Sequence, residues 1–145
     1  MNTRILFVCT GNIARSQIAE GLARAMVAPG VEVASAGTQP NPKGIHPLAV
    51  EVLREHGIDI SGQRAKKIED AGGEFDFVIT LCDAAAQDCP LLAARIERLH
   101  WSIPDPAIAG DDSVALLALF RNIRDDIDGR LRKWLGAHGF LRKTS

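Results

Sequence analysis

Residues 9–16 read Cys9-Thr10-Gly11-Asn12-Ile13-Ala14-Arg15-Ser16 and follow directly on the apolar run Ile5-Leu6-Phe7-Val8. A cysteine, five residues, an arginine and a serine between a strand and a helix make a cradle for a tetrahedral oxyanion with a nucleophile inside it. Backbone N–H groups of such a loop converge on an anion, and the helix that follows adds its positive N-terminal end. The amides come from Thr10, Gly11, Asn12, Ile13, Ala14 and Arg15, with Gly11 and Asn12 shaping the turn. The same field is expected to favour the thiolate of Cys9, the form of cysteine that attacks. Arg15 can grip two anion oxygens at once, which a lysine does less well. Ser16 is expected either to cap the helix or to donate its hydroxyl to the Cys9 sulfur.

Two other places carry chemistry. Asp105 stands between Pro104 and Pro106, in a stiff loop after Trp101-Ser102-Ile103. Displacement at a tetrahedral oxyanion needs an acid for the departing oxygen, and a carboxyl on a second loop suits that role. The plainer alternative is a turn aspartate. Cys82 closes the apolar run Phe77-Val78-Ile79-Thr80-Leu81, so it falls at the same sheet edge as Cys9, and Cys89 follows just before Pro90. Buried thiols are the plain alternative for this pair. No CxxC or HxxxH spacing accompanies them, so no zinc site is expected. His46, His56, His100 and His138 have no ligand spacing and read as surface or turn residues.

The elements that must position these groups follow from periodicity. Residues 4–9, 31–36, 75–82 and 96–103 read as strands. Residues 15–28, 47–56 and 112–135 read as helices, with a short one over 66–71. In the last helix Leu116, Phe120, Ile123, Ile127, Leu131 and Trp134 recur at steps of three and four, a stripe for core packing. Alternating strands and helices predict an α/β fold, a four-stranded parallel sheet in a three-layer α/β/α sandwich. Ligands of such sheets bind beyond the carboxyl ends of the strands, where Cys9 falls.

The chain has 145 residues, 46% of them hydrophobic, 24% charged, and a net charge of −1. This predicts one domain over 1–145 with a core of about 4–135 and a short basic tail. It gives no general electrostatic pull toward nucleic acid or an anionic membrane. About five consecutive apolar residues near the start fall short of a secretory or spanning segment. Three cysteines do not make an extracellular disulfide framework. A cytoplasmic monomer is the expectation.

Taken together, Cys9–Ser16, the following Gln17-Ile18-Ala19-Glu20-Gly21, Ser35-Ala36-Gly37, Val78-Ile79-Thr80-Leu81-Cys82, Cys89-Pro90 and His100-Trp101…Asp105-Pro106-Ala107 resemble the thioredoxin-coupled arsenate reductases. That family shares the low-molecular-weight tyrosine phosphatase fold. The resemblance implies that Cys9 attacks arsenate held by Arg15 and the loop amides while Asp105 protonates the leaving oxygen. It further implies that Cys82 attacks Cys9, releasing arsenite, and that Cys89 then takes over Cys82 and presents a disulfide to thioredoxin. Such exchange needs no bound organic cofactor. If 83–89 were helical, a Cys82–Cys89 disulfide would require that segment to unwind, since seven helical residues span roughly 10 Å and the bond needs its Cα atoms within roughly 7 Å.

The resemblance has departures. Ile13-Ala14 stand where many such reductases carry Ser-Cys, and the isoleucine is closer to the phosphatases. Some family members hold potassium with residues corresponding to Asn12, Glu20, Ser35 and an aspartate. Lys66 or Lys67 falls in place of that aspartate, which predicts a lysine paired with Glu20 and no potassium. The main alternative is a low-molecular-weight phosphatase acting on phosphotyrosine or small phosphate esters, which leaves Cys82 and Cys89 without a task. A phosphoryl-carrier or anion-sensing module gives Asp105 no task either. Recycling by glutaredoxin or another thiol is a variant of the reductase. Phosphate and sulfate are the expected competing anions.

Overall fold

The computed structural model describes residues 2–82, 94–106, 110 and 112–143. In chain order its elements are β1 (Thr3–Cys9), α1 (Arg15–Met26), β2 (Val31–Gly37), α2 (Pro47–Arg54), a 3-10 turn (Ile68–Ala71), β3 (Phe77–Thr80), β4 (Glu97–His100) and α3 (Ser113–Ala137). The strands form one sheet in the order β2-β1-β3-β4, and every pairing is parallel. The sequence leads to this sheet because β1 is apolar on both faces: Ile5 to Val8 are fully buried and Cys9 is 2% exposed. Such a strand belongs in the interior of a covered parallel sheet.

Successive residues of a strand point to opposite faces. Ile5, Phe7 and Ile79 therefore meet Ile18 and Leu22 of α1, Val52 and Leu53 of α2, and Phe120, Ile123, Ile127, Leu131 and Leu135 of α3. Each such side chain contributes about 1.5–3 kcal/mol on full burial. The stripe on α3 is core packing, as its period implies. Leu6, Val8 and Val78 face the other way and join Ala36, Phe75 and Cys82, with Ile68 and Ala71 of the 3-10 turn against them. The periodicity leads to helices on both faces; among the described residues all three α-helices lie on the first face and the 3-10 turn lies on the second.

Boundaries differ where long-range pairing decides them. Residues 66–71 were expected to be helical, but the Lys66 carbonyl accepts from Gly37 N (2.9 Å) and Lys67 bridges Gly37, so only Ile68–Ala71 turns. The ladder of β3 and β4 ends at Thr80 and His100. Beyond it single bonds carry the chain outward: Leu81 N to Val8 O (2.8 Å), Trp101 N to Thr80 O (2.8 Å) and Ile103 N to Leu81 O (3.1 Å). These bonds bring Cys9, Cys82 and the Asp105 loop to one edge of the sheet. Asp112 caps α3 by accepting from Val114 N and Ala115 N. Among the described residues no helix is long and apolar enough to cross a membrane.

Candidate active site

The loop between β1 and α1 is best understood through its carbonyls. Cys9 O accepts from Thr38 N, Thr10 O from Gln39 N, Gly11 O from Asn41 N, Ile13 O from His46 N and Ala14 O from Ile18 N, at 2.8–3.2 Å. The Asn12 carbonyl accepts from Gln17 Nε2 at 2.9 Å. Six successive carbonyls are thus tied to groups outside the cradle. In a trans peptide the N–H points opposite its carbonyl, so the next six amides face inward. That is an anion nest, and it opens onto the N-terminus of α1, whose first turn has no side-chain cap.

Asn12 is the non-glycine residue of the loop with positive φ, at 51°. Of Gly11 and Asn12, the pair expected to shape the turn, it is the asparagine that takes the left-handed conformation, as its short polar side chain tolerates. That side chain is fully buried and its bonds are numerous: Nδ2 donates to Ser16 Oγ (2.7 Å) and Ser35 Oγ (3.0 Å), and Oδ1 accepts from Lys66 N and Gln17 Nε2, both at 3.0 Å. Gly37 is required beside it, because a Cβ there would lie 2.6 Å from the Thr10 carbonyl oxygen.

Ser16 does not cap the helix. Its Oγ accepts from Asn12 Nδ2 and lies 2.8 Å from Cys9 Sγ, where the hydroxyl can accept from the thiol and donates once the sulfur is a thiolate. The expected thiolate bias is nevertheless outweighed. Burial pushes the Cys9 thiol above its ordinary value, and the Ser16 hydroxyl, the Ser16 and Asn12 amides and the Arg15 charge pull it only part of the way back. The field of the loop is local in sequence, whereas the desolvation of the sulfur is a sum over the packed surroundings and dominates it.

Arg15 donates Nη1–H to the Ile103 carbonyl at 3.0 Å, which fastens the cradle to the chain leading into Asp105. Cys9, Arg15 and Asp105 line one cavity of about 360 Å³, with Ile13, His46, Leu116 and Phe120 on its wall. Cys82 is 5% exposed, and its sulfur lies 3.3 Å from Thr10 Oγ1, one residue from Cys9. Cys89 lies outside the described residues, as does 83–89, the segment expected to unwind.

His46 is the residue that sequence reasoning missed. Its lack of ligand spacing predicts a surface or turn residue, but its N–H holds the Ile13 carbonyl and its Nδ1 accepts from Leu48 N at 3.0 Å as the cap of α2. Its ring packs on Phe120 with centroids 4.8 Å apart, and burial lowers its pKa. The histidine before Pro47 at a helix start was the available signal.

Behind the loop, Ser35 Oγ donates to Glu20 Oε1 at 2.7 Å. Arg24 and Lys66 flank the same carboxylate at 2.8 and 3.7 Å. Two cations thus face Glu20, one at each carboxylate oxygen. Among the described residues no group of three or more His, Cys, Asp and Glu is gathered as a metal site.

A cysteine at the floor of an amide nest on a four-stranded parallel sheet agrees with comparison to known proteins. The model of the low molecular weight phosphotyrosine protein phosphatase family matches residues 4–144, and the chain belongs to that family. It is 42% identical over 131 residues to an arsenate reductase of Shouchella clausii (strain KSM-K16), covering 90% of this chain and 93% of that protein. A solved arsenate reductase in the phosphate binding state superposes with a TM-score of 0.75 at 30% identity, covering 93% of this chain and 98% of the other. A thioredoxin-dependent arsenate reductase of Corynebacterium glutamicum superposes with a TM-score of 0.72 at 32% identity, covering 94% of this chain and 61% of the other.

Proposed function

We propose that this chain reduces arsenate to arsenite through Cys9, Cys82 and Cys89, with thioredoxin as the external reductant and no bound cofactor. Arsenate enters the nest, held by the inward amides of residues 10–15 and the Arg15 fork. The buried thiol gives its proton to the bound oxyanion, and Cys9 Sγ attacks arsenic. A sulfur–arsenic bond forms as one oxygen leaves as water, protonated by Asp105. Ser16 steadies the sulfur charge during this step.

The sulfur of Cys82 then attacks Cys9 Sγ. A disulfide forms, the sulfur–arsenic bond breaks, and its electron pair stays on arsenic, which leaves as arsenite. Cys89 displaces Cys9 from Cys82, and thioredoxin reduces the remaining disulfide. Asn12, Glu20, Ser35 and Lys66 hold the loop from behind. Phosphate and sulfate compete for the nest.

The observation that carries this reading is the second thiol: Cys82 rests against Thr10, beside a nucleophile at the floor of an oxyanion nest. An ester hydrolase of the same fold has no use for it. The relatives named arsenate reductases support the same conclusion. The test is NADPH consumption with arsenate, thioredoxin and thioredoxin reductase for the wild type and for Cys9→Ser, Cys82→Ser and Cys89→Ser. Turnover is expected in the wild type and lost in all three variants. Turnover retained without Cys82 and Cys89, or phosphate-ester hydrolysis alone, overturns the relay.

A further inference from the structure

The cavity over Cys9 is larger than its anion requires. Its volume of about 360 Å³ falls in the roughly 300–1,000 Å³ range of sites for organic ligands, whereas a tetrahedral oxyanion needs only the nest at its floor. The remaining wall is apolar and aromatic. Ile13 comes from the loop itself, Leu116 and Phe120 from the first turns of α3, and His46 from the cap of α2.

His46 belongs to this wall as an uncharged ring. Its Nδ1 accepts from Leu48 N, so the proton of the neutral imidazole sits on Nε2. Its face packs on the fully buried Phe120 ring, tilted 36°. Burial lowers its pKa, so the wall stays neutral at pH 7. Charged groups lining the cavity, Arg15 and Asp105, accompany Cys9. The site is therefore a polar floor with an apolar side chamber.

We propose that the chain also reduces monosubstituted organic arsonates, with the oxyanion in the nest and the carbon substituent, an aryl ring, against Ile13, His46, Leu116 and Phe120. This rests on the relay set out above. Cys9 Sγ attacks the pentavalent arsenic of phenylarsonate, a sulfur–arsenic bond forms and one hydroxyl leaves as water. The sulfur of Cys82 attacks Cys9 Sγ, the sulfur–arsenic bond breaks, and its electron pair reduces arsenic to the trivalent state. The carbon–arsenic bond is untouched, so the product is phenylarsonous acid. Two thiols become one disulfide, which an external dithiol reduces.

The experiment supplies phenylarsonate, methylarsonate and arsenate in turn to the wild type and to Leu116→Trp, with thioredoxin and its reductase, following NADPH and the trivalent product. Phenylarsonate is expected to show a kcat/KM at least about tenfold above methylarsonate, because the ring fills an apolar chamber that a methyl leaves open. Leu116→Trp fills that chamber and is expected to lower the ratio of phenylarsonate to arsenate kcat/KM at least tenfold. No turnover of phenylarsonate by enzyme that turns over arsenate overturns the proposal, as does an unchanged ratio in Leu116→Trp. If arsenate itself is not reduced, the relay fails and the chamber is read separately. Protection of Cys9 from iodoacetamide by phenylarsonate, better than by methylarsonate and weakened in Leu116→Trp, then supports it, and equal protection overturns it.

Discussion

Glu20 and Glu55 are each gripped by two cations, Arg24 and Lys66 in the first case and Arg121 and Arg124 in the second. The chemistry is the same and the depth is not. The Glu20 side chain is 5% exposed, and through Ser35 and Asn12 it is linked to Ser16 and the Cys9 sulfur. The Glu55 side chain is 27% exposed and joins α2 to α3, well away from the loop in sequence. Arg121 reaches it at 2.6 Å and Arg124 at 2.7 Å, the latter also donating to the Val52 carbonyl. One carboxylate supports a reactive geometry and the other ties two helices together. Ion pairing alone does not reveal which; the route to the nucleophile does.

Glu20→Ala is the most severe way to test the contrast. It leaves Lys66, 17% exposed, without its carboxylate and Ser35 without an acceptor, and breaking a buried pair costs about 3–5 kcal/mol. Urea unfolding is expected to show that loss, and arsenate turnover is expected to fall with it. Glu55→Ala is expected to keep kcat/KM. A Glu20→Ala protein with normal turnover would mean that the network is ordinary packing.

Ser16→Ala acts next. It removes a donor to Cys9 Sγ and leaves Asn12 Nδ2 with one fewer acceptor, an uncompensated buried loss of about 1–3 kcal/mol. Expressed on the transition state this is about a tenfold to hundredfold drop in turnover. The pH profile of iodoacetamide alkylation gives a separate readout. Burial already raises the Cys9 thiol and the Ser16 bond lowers it, so the wild-type rate is expected to climb above the ordinary thiol range, and the variant profile to move further alkaline. A shift to lower pH would show that the hydroxyl does not favour the thiolate.

Glu55 gives a smaller, pH-gated effect. Its carboxyl is held down to about 2, first by the Arg121 and then by the Arg124 hydrogen bonds. A group depressed in the folded state stabilises above its unfolded value and loses that contribution as pH falls through its folded value. The Tm of the wild type is expected to exceed that of Glu55→Gln by a few degrees at pH 7. The gap should close between about pH 4.5 and 2. A gap constant over that range would locate the effect in shape, not charge.

What the sequence made legible is the part that is local. Cys9, Arg15 and Ser16 lie within eight residues, and a strand followed by a loop and a helix brings them together without help from elsewhere. Cys82 was legible because β3 runs parallel to β1 and both end at one edge. The tethers were not. Thr38, Gln39, Asn41 and His46 turn the loop carbonyls outward from a segment without regular structure, and no periodicity announces that. The raised Cys9 thiol was hidden for a related reason, since desolvation is a sum over residues remote in sequence. Lys66 came through the resemblance, and its backbone N–H bond to Asn12 did not.

Potassium provides the finest discrimination between the two carboxylates. If Lys66 and Arg24 already neutralise Glu20, added potassium has no charge left to satisfy there. Turnover in potassium and in sodium at equal ionic strength is then expected to agree within about 1.5-fold, since a shared ionic strength screens surface charges equally. Lys66→Asp sharpens the result by placing a second carboxylate near Glu20, where two like charges must hold a cation or a proton. That variant is expected to lose stability in sodium and regain part of it in potassium, which fits a carboxylate and hydroxyl set better than an ammonium does. A wild type that rises steeply with potassium would show that the lysine leaves room for the ion, and Glu20 would then resemble a metal ligand more than it resembles Glu55.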